Sequence, residues 1–171
     1  TRPAEGRAGS RNWMSTIADY TGRKSDAAIL RPRYSATNGL DTVSDLSMGQ
    51  AGGAICTGIQ KTVQKWLVIF LTQRGSVRYR PLRGTDFPSA IVNGSVRTDA
   101  DLVTAFSIAA DQVTEQLAAE SLPTDPLDEQ FVSATLISAS VVGNGTATLS
   151  VKITTAAGQA RTVVFPVGVG P

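Results

Sequence analysis

Thr146-Ala147-Thr148-Leu149-Ser150-Val151-Lys152-Ile153-Thr154 alternates polar and apolar side chains without a break. On an extended backbone successive side chains point to opposite faces, so Ala147, Leu149, Val151 and Ile153 line one face and the Thr, Ser and Lys residues the other. That is a strand with one wet face. Upstream, Phe131 to Val142 is rich in β-branched residues, and Gly143-Asn144-Gly145 supplies the hairpin turn between the two. Downstream, Gly158 marks a second turn and Arg161 to Phe165 gives a third strand. Residues 129–167 therefore read as a three-stranded meander. Pro166 lacks an amide donor and belongs at an edge or a strand end. Gly168, Gly170 and Pro171 then let the chain leave the sheet.

Working back from the meander, two helices are expected. Thr98 can cap the second, with Asp99 and Asp101 in its first turn, where carboxylates suit the helix dipole. Leu102, Phe106, Ala109, Val113 and Leu117 form its buried stripe, and it ends before Pro123. The first helix is expected over residues 55–73. Ile55, Ile59, Val63, Trp66, Leu67 and Phe70 recur at steps of three and four, while Lys61, Gln64, Lys65 and Gln73 fall largely on other faces. Gly49, Gly52 and Gly53 mark the loop before it. Gly58 is placed inside it, at a cost of about 1 kcal/mol against Ala, and Gly75 is placed to stop it, with Arg74 beside the negative end of the dipole. Between the helices, residues 76–98 read as short extended pieces and turns. Val77 to Leu82 gives one strand, limited by Pro81, and Gly84, Pro88, Asn93 and Gly94 punctuate the rest.

Residues 1–50 differ in kind. They are rich in Gly, Ser, Thr and Arg, with scattered apolar residues and no sustained period. Arg11 to Tyr20 can make a short helical turn, and Ala27 to Tyr34 reads as an extended stretch broken at Pro32. Such a segment buries little by itself and reads as an arm that becomes ordered against a partner. The fold class expected is α+β: two main helices packed on a mainly antiparallel sheet that ends in the meander, with an extended N-terminal arm over 1–50 and the folded domain over 51–171.

Composition narrows the function. The 171 residues are 42% hydrophobic and 18% charged, enough apolar material for a core. There is no His, which removes Ser-His-Asp and Cys-His catalysis and all His-ligated metals. The single Cys56 excludes disulfide frameworks, CxxC redox chemistry and cysteine zinc sites. The longest unbroken apolar run, Trp66 to Leu71, is far short of the roughly 20 residues of a spanning helix. Residues 1–50 show no signal-peptide pattern, and one reduced Cys fits assembly in a cytoplasm. No cofactor and no metal site are expected.

Charge is uneven. Residues 1–100 carry fourteen Lys and Arg against seven acids, a balance of +7, and residues 101–171 carry two against seven, a balance of −5. Such halves suit head-to-tail packing of copies or docking on an acidic partner. The densest cationic feature is Arg74, Arg78, Arg80 and Arg83, interrupted by Tyr79. On a strand, Arg78 and Arg80 would share a side. Three uses stay open for these arginines: a protein interface, nucleic-acid binding, and pairing with acids of the second helix inside one subunit. Nucleic acid is the weaker reading, because aromatics are only 6% of the chain. The carboxylates do not suggest glycoside hydrolysis. Glu115 and Asp111 share a helix face at ordinary spacing, and Glu115, Glu120, Asp128 and Glu129 lack a sugar-binding loop around them. Ser47 to Gly53 lacks the Gly-Lys-Ser/Thr ending of a phosphate loop.

One stretch carries a resemblance: Ile59-Gln60-Lys61-Thr62-Val63-Gln64-Lys65-Trp66-Leu67-Val68-Ile69-Phe70-Leu71-Thr72-Gln73-Arg74-Gly75-Ser76-Val77-Arg78-Tyr79-Arg80-Pro81-Leu82-Arg83-Gly84-Thr85-Asp86-Phe87. An amphipathic helix runs into Leu-Thr, a glycine, a short basic piece and then Pro-x-x-Gly. This resembles the "lysozyme-like" baseplate wedge proteins of contractile phage tails, a family shared with type VI secretion baseplates, over about residues 55–167. Leu71-Thr72 with Gly75, and Pro81 with Gly84, match the family's entry to its sheet. Two motifs depart from it. The usual Gly-Glu-Arg is Gly75-Ser76-Val77 here, with the Arg at Arg78, and the usual Glu-Pro-Arg is replaced by Pro126-Leu127-Asp128-Glu129-Gln130-Phe131.

The resemblance implies a structural part with no catalytic residue, despite the family's label. Such a part sits in the virion tail baseplate, is assembled in the bacterial host cytoplasm, clamps the core of the wedge and starts sheath assembly. Its implied partners are other wedge subunits and the tail sheath protein in a multi-copy tail, with no membrane. The residues expected to bind partners are Arg74, Arg78, Arg80 and Arg83, together with Val163 and Phe165 on the outer strand of the meander. Another tail or head–tail joining protein, such as a tail terminator, and a nucleic-acid-binding module using Arg74 to Arg83 are the alternatives.

Overall fold

The computed structural model describes residues 24, 26–27, 30–34, 42–46, 55–142 and 145–169. In chain order the elements are β1 (Asp26–Ala27), β2 (Leu30–Tyr34), β3 (Thr42–Leu46), β4 (Ile55–Cys56), α1 (Gly58–Leu71), α2 (Phe87–Val92), α3 (Asp99–Glu120), β5 (Phe131–Val142), β6 (Thr146–Thr155) and β7 (Ala160–Gly168). The fold is α+β. The expected helical turn at Arg11–Tyr20, the glycines at 49, 52 and 53, the Gly143-Asn144 part of the hairpin turn, and Gly170 and Pro171 lie outside the described residues.

The meander forms as the alternation predicts. β5, β6 and β7 pair antiparallel in the order β5-β6-β7. Ala147, Leu149, Val151 and Ile153 of β6 are fully buried, and Val163 and Phe165 of β7 join them on the same face. The third strand is longer than its sequence signal. Pro166 lies inside it, opposite Thr148, but β7 is an outer strand of its sheet, where a proline is tolerated. β5 carries two register shifts, between Phe131 and Ser133 and between Leu136 and Ser138. Each inserts an extra residue that bends the strand and spoils its outer edge for further pairing.

The helices lie on the buried face. α3 follows its predicted stripe, with Leu102, Phe106, Ala109, Val113 and Leu117 all buried. Its start is a capping box: the Thr98 hydroxyl accepts from the Asp101 amide at 3.2 Å, and the Asp101 carboxylate accepts from the Thr98 amide at 3.0 Å. The Thr98 side chain, followed by the Arg97 and Thr98 amides, favours the charged Asp101 carboxylate by hydrogen bonding and holds the group below its ordinary range. The Asp99 carboxylate accepts from the Val141 amide at 2.7 Å, which ties the same helix end to the end of β5.

Three local expectations are corrected. First, α1 begins at Gly58, not at residue 55, and Gly58 is the entry turn rather than an interior glycine. It sits at φ +61°, a left-handed backbone that favours glycine, and residues 55–56 pair with β1 instead. Second, Phe87–Val92 is a short helix where punctuation alone was expected. Pro88 falls in its first turn, where a fixed φ and a missing donor are no penalty. Third, Val77–Leu82 is not a strand. It forms successive turns, with Arg80 N–H to the Val77 carbonyl at 3.0 Å and Arg83 N–H to the Arg80 carbonyl at 2.9 Å.

Phe70 sits where these layers meet. Its ring centroid lies 4.8 Å from Trp66 in a stacked pair, 4.6 Å from Phe87, 5.6 Å from Phe106 and 5.8 Å from Phe165 in an edge contact. One side chain therefore joins α1, α2, α3 and β7. Phe70→Ala is expected to cost about 3–5 kcal/mol, read as a lower urea midpoint; a loss below about 1 kcal/mol would show that the cluster is not the keystone of the core.

The described parts of the first fifty residues are not free of the domain. β1 pairs with β4, Asp26 opposite Cys56. β2 and β3 form a hairpin in which Pro32 stands opposite Ser44 rather than breaking the strand. β3 lies alongside β7 without forming a ladder with it. The pairing of β1 with β4 gives Cys56 a defined environment. Burial first, and then the nearby Asp26 carboxylate, push its thiol up to about 11. A thiol that stays protonated is a poor nucleophile. Iodoacetamide near neutral pH is expected to leave Cys56 unmodified in the native chain and to label it in urea. Rapid native labelling would show that β1 lifts from β4.

Candidate partner-binding surface

The motif stretch after α1 folds into one closed loop. Thr72 ends the helix in an extended conformation. At the loop's base the Thr85 amide donates to the Thr72 carbonyl at 2.8 Å and the Arg74 amide to the Thr85 carbonyl at 3.0 Å. Within it the Gly75 amide donates to the Pro81 carbonyl at 2.9 Å. Gly84 sits at φ +103°, and a Cβ there would run into the Thr72 carbonyl. Only glycine lets the two strands of the loop approach this closely.

A polar clamp then fixes the loop to α3. The Gln116 side chain accepts from the Gly84 amide at 2.9 Å and donates to the Gly84 carbonyl at 2.8 Å. Gln112, one turn earlier, accepts from the Asp86 amide at 2.9 Å. Sequence reading missed both glutamines. Their signal was their spacing of four, on the flank of the α3 stripe.

The loop's arginines divide into two pairs. Arg80 and Arg83 both reach Glu120 at the end of α3, Arg80 at 3.4 Å and Arg83 more closely. Lys65 of α1 reaches the other Glu120 oxygen at 2.9 Å. For Arg80 and Arg83 the pairing inside one subunit is what the structure contains. Arg74 and Arg78 have no carboxylate partner among the described residues; Arg78 instead lies over the Tyr79 ring at 5.6 Å from its centroid. Tyr79 is 86% and Leu82 69% exposed. The loop thus presents Arg78, an aromatic ring and a leucine beyond a sealed base, with Arg74 exposed at that base. Val163 and Phe165 do not belong to any surface: both are buried among the core side chains, because inward alternation on β7 places them there. What β7 leaves for a partner is its backbone edge and its outward side chains, such as the exposed Pro166.

Burial raises the Glu120 carboxyl, but hydrogen bonding and charge from Lys65 and Arg83 outweigh it, and the net shift is downward from 4.5. A lowered folded value means that the contribution to stability is present above the unfolded value and is lost as pH falls through the folded one. Glu120→Gln is expected to lower the urea midpoint near neutral pH, and this effect is expected to fade as pH falls through the lowered carboxyl's titration and to vanish in acid where Glu120 is protonated in both states. An equal effect at neutral and acid pH would show that Glu120 acts through packing rather than charge.

Glu129 plays the matching part for the chain before β5. It is nearly buried and pairs with Lys61 at 2.6 Å, and it accepts from the Gly58 amide at 3.1 Å. Glu120 and Glu129 border a cavity of about 350 Å³ shared with Lys61, Lys65 and Arg83. Both carboxylates are held by cations. Asp111 and Glu115 are exposed on α3, outside this cavity. No group of acidic or cysteine residues among those described could hold a metal ion.

No protein-family model, curated protein or solved structure matches this chain.

Proposed function

We propose that the chain is a structural, non-enzymatic subunit of a contractile phage tail baseplate wedge. In this reading it clamps the core of the wedge, offers the meander as the platform on which the tail sheath begins, and works in the virion tail after assembly in the host cytoplasm. The observation that carries the reading is the closed loop. Leu71-Thr72, Gly75, Pro81 and Gly84, which bear the family resemblance, are the residues that end α1, turn the chain and seal the loop against α3. A short motif made of common residues gains weight when each of its positions answers to one local geometry.

The electrostatics support an assembly role. Arg78 on the loop and Arg74 at its base have no carboxylate partner among the described residues, which suits a neighbouring subunit with acidic groups. The two outer strands of the meander are unequal. β5 is bent by two bulges and tied at its end to Asp99, so β7 is the more regular of the two edges for strand addition. A strand from the sheath would have to share or displace the space that β3 occupies beside it.

Removing the chain from the phage that encodes it, followed by electron microscopy of the particles, tests this role. Tail tubes lacking sheath are the expected product. Complete contractile tails would overturn the proposal, as would release of soluble fragments from peptidoglycan by the purified chain.

A further inference from the structure

The cationic loop has a counterpart on the same face of the molecule. Ile108, Asp111 and Glu115 follow one another at steps of three and four on α3 and form one stripe. Ile108 is 55% exposed. Asp111 and Glu115 are exposed and have no partner among the described residues. This stripe runs past the base of the loop, because Gln112, which holds the Asp86 amide, has Ile108 four residues before it and Glu115 three after it as its neighbours on the helix surface. The surface therefore carries two unpaired cations with exposed Tyr79 and Leu82, and next to them two unpaired carboxylates with an exposed isoleucine.

A patch that holds both halves of a charge and apolar match can pair with itself under a two-fold axis, since residue i then meets j while j meets i. We propose that two copies of this chain dock through this face, the Arg78–Tyr79 loop tip of each lying on the Ile108–Glu115 stripe of the other. The occupant is a second copy and not an unrelated acidic protein for two reasons. Neither surface has a charge partner among the described residues, and each carries the charge opposite to the other's beside exposed apolar side chains. Rigidity favours the contact as well. The loop is sealed at its base and clamped to α3, so little ordering has to accompany docking. The inference rests on the reading of the chain as an assembly subunit only in naming the neighbour that the loop meets.

Sedimentation equilibrium on the isolated 171-residue chain tests it. A monomer–dimer equilibrium that weakens with added salt is expected, because the contact is charged and partly exposed. Arg78→Glu and Glu115→Arg should each weaken association about tenfold, and the two combined in one chain should restore it. Thermal unfolding of each variant checks that the fold is retained, as both side chains are exposed. The proposal fails if the native chain stays monomeric at every accessible concentration, if a ring or filament forms instead of a dimer, or if the double reversal is no better than the single ones. A monomeric chain would leave the baseplate role to be judged on particles, and complete tails without the chain would leave a measured dimer standing.

Discussion

The aromatic cluster around Phe70 is the constraint from which the rest of the structure follows. Both helices and the meander are amphipathic, and none has a second face that can be covered by its own element. Phe70 lies near the end of α1, where one ring can touch Trp66 on its own helix, Phe87 on α2, Phe106 on α3 and Phe165 on β7. With those contacts made, the end of α1 is fixed in space, and so is the loop that leaves it. The position of Arg74 and Arg78 on the surface is thus set by apolar packing several residues earlier.

Polar contacts then finish what packing begins. The loop after α1 has too few apolar side chains to be held by burial, since its Tyr79 and Leu82 face solvent. Backbone hydrogen bonds at its base and the two amide side chains of Gln112 and Gln116 hold it instead. Each bond satisfies a backbone group that would otherwise need water. Glu120 and Glu129 do comparable work with charge. Each gathers cations from α1, and Glu120 also gathers the two arginines nearest the loop's exit. Both carboxylates fasten segments distant in sequence to one another.

The surface that remains is uneven. The loop stands on the flank of α3 that carries Gln112 and Gln116, and β7 has β3 beside it. Catalytic sites gather perturbed titratable groups around a cleft. Here the perturbed carboxyls, Asp101 and Glu120, are a helix cap and an ion-pair hub. The arrangement favours the proposed role of a part that is held and holds, with the loop and the sheet edge as its two attachments.

The sequence by itself determined the meander, the stripe and cap of α3, the body of α1 and hence the α+β class. Each rests on a local period or a capping pattern that a single segment states alone: alternation in 146–154, steps of three and four in 102–117, Thr98 before two acids. The tertiary structure decided the rest. Val77–Leu82 alternates well enough to suggest a strand, but no strand among the described residues pairs with it, and it folds into turns between Gly75 and Gly84. Gly58 reads as a helix interior until its left-handed backbone shows it to be the entry. Val163 and Phe165 share the alternation of any outer strand, and only tertiary packing, with Phe165 against Phe70, makes them core. Which arginines are free and which are tied to Glu120 is a matter of distance between α3 and a loop some forty residues away in sequence, and no local pattern carries that information.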